Sequence, residues 1–181
     1  MRRTLRSTPL AILAALALPA LASAQMASLQ DVQVADIETM KGKFVGLAQE
    51  FTEAQYDWRP MEGVRSVKDV LALIIAECHI FPMNWGVQPP AGAASGFGPE
   101  MQRANALSRQ QIIAQLGTAF DHLAASVRGL SSSDLMAEST YFGRQMSRQS
   151  NVMTAMADMH EHLGQLIAYA RANEVVPPWS R

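Results

Sequence analysis

Ser66-Val67-Lys68-Asp69-Val70-Leu71-Ala72-Leu73-Ile74-Ile75-Ala76-Glu77-Cys78-His79-Ile80-Phe81 is the most apolar stretch downstream of the N-terminal segment, and its reading sets the architecture. Ser66 with an acid three positions on is a helix start of the capping-box kind. The run that follows has no alternation of the strand type, and its length suits a helix. With Val70 marking the core direction, Ile74, Glu77 and Phe81 lie within about 40° of it, and Leu73 lies about 60° off. His79 falls on the opposite side. The polar residue aimed inward is therefore Glu77, and a carboxylate on a buried stripe is costly unless it is paired or bound.

Three further helices flank this one. Leu29 to Phe51 carries Ile37, Met40, Phe44, Leu47 and Phe51 at three- and four-residue steps. It ends before Tyr56-Asp57-Trp58-Arg59-Pro60, where the proline stops helical continuation. Ser108-Arg109-Gln110-Gln111 opens a helix with Ile113, Leu116, Phe120, Leu123 and Val127 as its stripe and Gly129 as its stop. The last helix runs from about Asn151 to Ala172, with Val152, Ala155, Met159, His162, Leu163, Leu166 and Ala170 on its inner half. Two longer connections separate these helices. Pro82 to Asn105 is rich in Pro, Gly, Ala and Ser and reads as a crossover. Ser131 to Ser150 carries a helical turn at Asp134 and an extended piece at Thr140-Tyr141-Phe142. The expected fold is all-α: a four-helix bundle with long crossover connections.

The 181 residues suit one such domain, and the apolar fraction of 49% argues against disorder. Residues 1–24 read as a cleaved signal peptide. Arg2, Arg3 and Arg6 form the positive start, Leu10 to Leu21 the apolar centre, and Ala22-Ser23-Ala24 the cleavage pattern. The domain is then residues 25–181, with a periplasmic or secreted location. The apolar centre is shorter than the ~20 residues of a membrane span, so no stable span is expected after cleavage. Cleavage lowers the net charge of −1 by three. No basic footprint for nucleic acid exists, and none is expected to bind. Cys78, the single cysteine, excludes an intramolecular disulfide and reads as a small buried hydrophobe.

Chemistry in a bundle comes from polar residues on inner faces. Asp158 and His162, four apart, stack on one flank of the last helix, with Gln165 and Tyr169 continuing it. An Asp/His pair one turn apart offers a divalent metal one oxygen and one nitrogen, or else is a simple hydrogen-bonded pair. Glu77 is the third candidate ligand, with Arg144 an alternative partner for its carboxylate. His160 points away from the pair, and His122 reads as solvent-facing. Met40, Met153 and Met159 read as core filler.

Two of these segments resemble the DinB-like family. Tyr56-Asp57-Trp58-Arg59-Pro60 followed by Gly63-Val64-Arg65-Ser66-Val67 is similar to the family's junction between the first two helices. His162-Leu163-Gly164-Gln165-Leu166 is similar to its last-helix segment. The resemblance implies a four-helix bundle and a divalent metal, often zinc or nickel, held by three histidines. It also implies metal-assisted hydrolysis or the transfer of a small thiol. Carried over position by position, the family's last-helix pair falls on Asp158 and His162, and its second-helix histidine falls on Leu73. Glu77, one turn further on, is the candidate replacement, with His79 the lesser one. The implied cofactor is a divalent metal such as zinc, nickel or manganese, and the implied function is an exported metal-dependent hydrolase or transferase. The alternative is a non-catalytic envelope bundle whose metal site has decayed. It would hold a small molecule in its cavity or near Trp85 or Trp179. A homodimer through an apolar helix face suits either reading.

Overall fold

The computed structural model describes residues 27–181; the expected signal peptide lies outside them. Four long helices form the bundle: α1 (Leu29–Glu50), α3 (Val67–Ile80), α5 (Arg109–Arg128) and α7 (Arg148–Ala172). A short α2 (Glu53–Tyr56) follows α1. Local chemistry writes most of the starts. The hydroxyls of Ser28, Thr52, Ser66 and Ser108 each accept the N3 amide, and the N3 side chain answers the cap amide. Each such cap is worth roughly 1 kcal/mol. The α1 stripe is buried throughout, and so is α3 from Val70 to His79. In α5 the buried residue is Ile112 and not Ile113, which is only half-buried; in α7, Met153 is exposed.

Helix α1 packs on α5 and α7, and α3 packs on the same two, so α1–α3 and α5–α7 are the diagonals of the bundle. The diagonal steps are made by residues 51–66 and 129–147. The long 82–105 connection instead joins the neighbours α3 and α5. It is also more ordered than its composition suggests. A 3-10 turn (Phe81–Trp85) leads through Pro89-Pro90 to α4 (Phe97–Asn105), which lies along α3. Pro99 sits in the first turn of α4, where a missing N–H is tolerated. The signals of a loop were those of a helix start.

Glu100 fastens α4 in place. Its carboxylate is fully buried and accepts hydrogen bonds from His79 Nδ1 (2.7 Å), the Ala94 amide (2.6 Å), and Arg103 Nε and Nη2 (2.8 and 2.6 Å). His79, placed on the opposite side of α3 from Glu77, is therefore a structural partner of α4 and not a stand-in ligand.

The second long connection holds α6 (Ser132–Met136) and an antiparallel hairpin, β1 (Glu138–Tyr141) and β2 (Arg144–Ser147). Tyr141 pairs with Arg144, leaving Phe142-Gly143 as a two-residue turn with φ of 46° and 79°. Two positive φ values are the signature of a type I′ turn, which favours Asn-Gly. A phenylalanine there costs about 1–2 kcal/mol. The hairpin is tied to the bundle by Ser139 Oγ donating to the Asn84 carbonyl (2.6 Å) and Asn151 Nδ2 donating to Ser139 Oγ (2.7 Å). Helix α7 starts at Arg148, three residues earlier than expected, on a Ser147 cap.

Burial alone would raise the Glu100 pKa, but the bonds from Arg103, Ala94 and His79 outweigh it and hold the carboxyl at about 2, below its ordinary 4.5. The stabilisation from its ionised form is complete above pH 4.5 and is lost as pH falls towards 2. Glu100→Gln should lose roughly 3 kcal/mol at pH 7 and show a shallower acid limb than the parent. Urea melts at pH 7, 4 and 3 check both effects.

Candidate metal centre

Helices α3 and α7 are neighbours, so their inner polar residues meet. One donor atom each from Glu77, Asp158 and His162 converge within 4.8 Å of one another. His162 Nε2 lies 3.7 Å from Glu77 Oε1 and 4.0 Å from Asp158 Oδ2. Ligands about 2.1 Å from a tetrahedral zinc stand ~3.4 Å apart, so both distances from His162 exceed the spacing around an ion by only a few tenths of an ångström. Glu77 is 1% exposed and its Oε2 is buried without a hydrogen-bond partner. Burial, followed by the negative charge of Asp158, pushes its pKa up to about 9, while Arg65 pulls it down. The arginine beside Glu77 is thus Arg65, on the turn before α3. Arg144 is on the exposed strand and does not line the cleft.

His162 is oriented from behind. Its Nδ1 bonds Gln165 Oε1 (3.2 Å), while the Gln165 amide donates to the Tyr169 hydroxyl (2.8 Å), which donates to the Arg65 carbonyl (3.0 Å). An amide oxygen only accepts, so Nδ1 carries a proton and Nε2 is the ring nitrogen that faces the two carboxylates.

The triad opens into a cleft of about 380 Å³. Leu73, at the position where the resemblance places a histidine, lines it, with Arg65 on the same wall. The remaining walls are Phe81, Phe97 from α4 and Phe142 from the hairpin tip. Of the 82–105 connection, Phe97 is the residue that lines the cleft. Nothing in the periodicity of the helices marked Arg65, Phe97 or Phe142, since each reaches the cleft from a connection.

The remaining histidines and tryptophans lie elsewhere. His160 pairs with Asp36 across α1 and α7 (2.7 Å). His122 is not solvent-facing: it is half-buried, its Nε2 has no partner, and burial and then nearby His79 lower its pKa. Trp85 is buried with its indole N–H on Ser126 Oγ (3.3 Å). Trp179 lies beneath the Lys43 ammonium at the surface.

The match to known proteins follows this geometry. A family model described as the DinB superfamily aligns with residues 36–166. The chain belongs to the DinB superfamily. Among solved structures it is similar to a DinB-like protein of Bacillus subtilis, YjoA, at 21% identity with a TM-score of 0.63, over 80% of this chain and 93% of that one. It is similar also to YfiT of Bacillus subtilis, described as a probable metal-dependent hydrolase with an unusual four-helix bundle topology. There the identity is 14% and the TM-score 0.64, over 84% and 93% of the two chains. The mycothiol-dependent maleylpyruvate isomerase is similar at 15% identity and a TM-score of 0.57, over 76% of this chain and 60% of the isomerase. These likenesses establish the DinB-like bundle. No curated protein matches by sequence. Among the described residues no helix is long and apolar enough to cross a membrane.

In metal-free protein the folded state holds the Glu77 proton more tightly than the unfolded chain. The stability this gives is complete below pH 4.5 and is lost as pH rises towards 9. In the presence of chelator, Glu77→Gln should therefore be more stable than the parent, by on the order of 2 kcal/mol near pH 8 and by little near pH 4. Thermal melts of both proteins across that range decide it. An equal or lower melting point for the variant at pH 8 would show that the buried carboxyl is not under this strain.

Proposed function

We propose that the protein holds one divalent cation between α3 and α7 through Glu77, Asp158 and His162, and that it is a metal-dependent hydrolase of the DinB type. The observation that carries this is the convergence of Glu77, Asp158 and His162 around a buried Glu77 carboxylate, whose Oε2 has no hydrogen-bond partner. Two oxygens and one nitrogen suit zinc, nickel or manganese. When bound, such an ion supplies Lewis acidity and lowers the pKa of a coordinated nucleophile. The protein's part is positional. Burial fixes Glu77, the Gln165–Tyr169 chain fixes the His162 ring, and half-exposed Asp158 leaves the solvent side open. The description of YfiT as a metal-dependent hydrolase supports this reading.

Transfer of a small thiol, the chemistry suggested by the mycothiol-dependent relative, is the less favoured branch. If residues 1–24 direct export, the site works in the periplasm or outside the cell, where the cytosolic thiol pool is not available. Leu73 favours a second reading, a bundle that binds a ligand without metal, because it removes the nitrogen ligand that the family resemblance implies.

Elemental analysis separates these readings. Residues 25–181, purified without chelator or histidine tag, should carry about one equivalent of zinc, nickel or manganese. An Asp158→Ala/His162→Ala double variant should lose it with its helical content unchanged. Protein that carries no metal and takes up none on titration would end the proposal in favour of the metal-free bundle. Gln165→Leu, which touches no ion, should weaken metal affinity roughly 10–100-fold by freeing the His162 ring. Competition with a chromophoric chelator measures it.

A further inference from the structure

Beside the cleft lies a second cavity of about 200 Å³, lined by Ile80, Phe81, Asn84, Phe97, Tyr141 and Phe142. Phe81, Phe97 and Phe142 are walls of both cavities, so a molecule seated at one can extend into the other. The rings are arranged around one of their number. Phe97 lies parallel to Phe81 at 6.0 Å, with 9° between the planes, and Tyr141 meets Phe81 edge-on at 5.3 Å. Phe142 stands edge-on to both Phe81 and Tyr141, at 6.5 and 4.7 Å. An apolar cavity of about 150 Å³ is enough for benzene, so this one fits a single aromatic ring. Faces and edges offered together are the surroundings such a ring prefers.

Phe142 is the telling member. It is 76% exposed, on a backbone with φ of 46° that a phenylalanine rarely adopts, at a turn where asparagine would serve the fold better. Strained, exposed aromatic residues persist where a ligand uses them.

Charge is the second element. The exposed Arg65 side chain lines the cleft and, among the described residues, its guanidinium forms no ion pair or hydrogen bond, while its carbonyl accepts from Tyr169. Ionised Glu77 and Asp158 would balance a divalent ion, which leaves Arg65 as the uncompensated charge at the mouth.

We infer that the cleft takes a small molecule made of one aromatic ring and an anionic group, the ring seated among Phe81, Phe97, Tyr141 and Phe142 and the anion met by Arg65. The inference rests on the proposed metal site as the place of reaction, but none of its binding contacts uses the three metal ligands.

Calorimetric titration of the mature protein with phenylacetate, acetate and benzyl alcohol tests it, with metal content measured on the same samples. Phenylacetate should bind at least tenfold more tightly than acetate, which lacks the ring, and than benzyl alcohol, which lacks the charge. Phe142→Asn should reduce the preference over acetate at least fivefold while its melting temperature equals or exceeds that of the parent. Arg65→Gln should remove the preference over benzyl alcohol with metal content unchanged. Acetate binding as tightly as phenylacetate overturns the inference, and so does a Phe142→Asn variant that melts lower yet keeps the ring preference. Both preferences in metal-free protein support it and sink only the metal proposal. Bound metal without either preference sinks the inference alone.

Discussion

Helix α3 is enclosed on every side from Val70 to His79, and that enclosure is the constraint on which the site depends. Every polar side chain on such a helix must be answered by a partner, because water is not there to do it. His79 is answered by Glu100, and this pairing draws the Gly- and Pro-rich connection down onto α3. Glu77, two residues earlier, points the other way, towards Asp158 and His162, and its Oε2 is left without a hydrogen-bond partner. One helix thus supplies both the anchor of the connection and the floor of the cleft.

The labour is divided between helices and connections. The three convergent donors stand on α3 and α7, where packing on both sides limits their movement. The walls Phe97 and Phe142 come from α4 and the hairpin, which are tied to the bundle by the Glu100–His79 pair and by the Ser139–Asn84–Asn151 bonds. Sites built on rigid elements keep their geometry, while connections tolerate change. Substitution in the connections can therefore reshape the cleft without disturbing the three donors.

Much of this was legible in the sequence, for a physical reason. The four long helices carry a period of 3.6, and two of them, at Ser66 and Ser108, carry legible start signals as well; both features are local. The inward aim of Glu77 and the outward aim of His79 followed from the same 100° step. What stayed hidden depends on distant partners. Arg65, Phe97 and Phe142 reach the cleft from segments with no periodicity, and the role of Gln165 rests on Tyr169 and the Arg65 carbonyl. Helix α4 reads as loop in the sequence because Gly96, Gly98 and Pro99 suit a helical first turn as well as a loop. His122 reads as solvent-facing because it lies off the apolar stripe of its helix, although the ring itself turns inward towards His79.

Cys78, between Glu77 and His79, is fully buried, and burial holds its thiol in the protonated form. A thiol reagent reacts only with the thiolate, so in the folded chain this sulfur is shielded twice, by access and by ionisation. Since α3 has no free face, Cys78 becomes reactive only when the packing around α3 opens. The single cysteine is thus a native clock for unfolding: the rate at which it is alkylated reads out how often the core comes apart, with no added label.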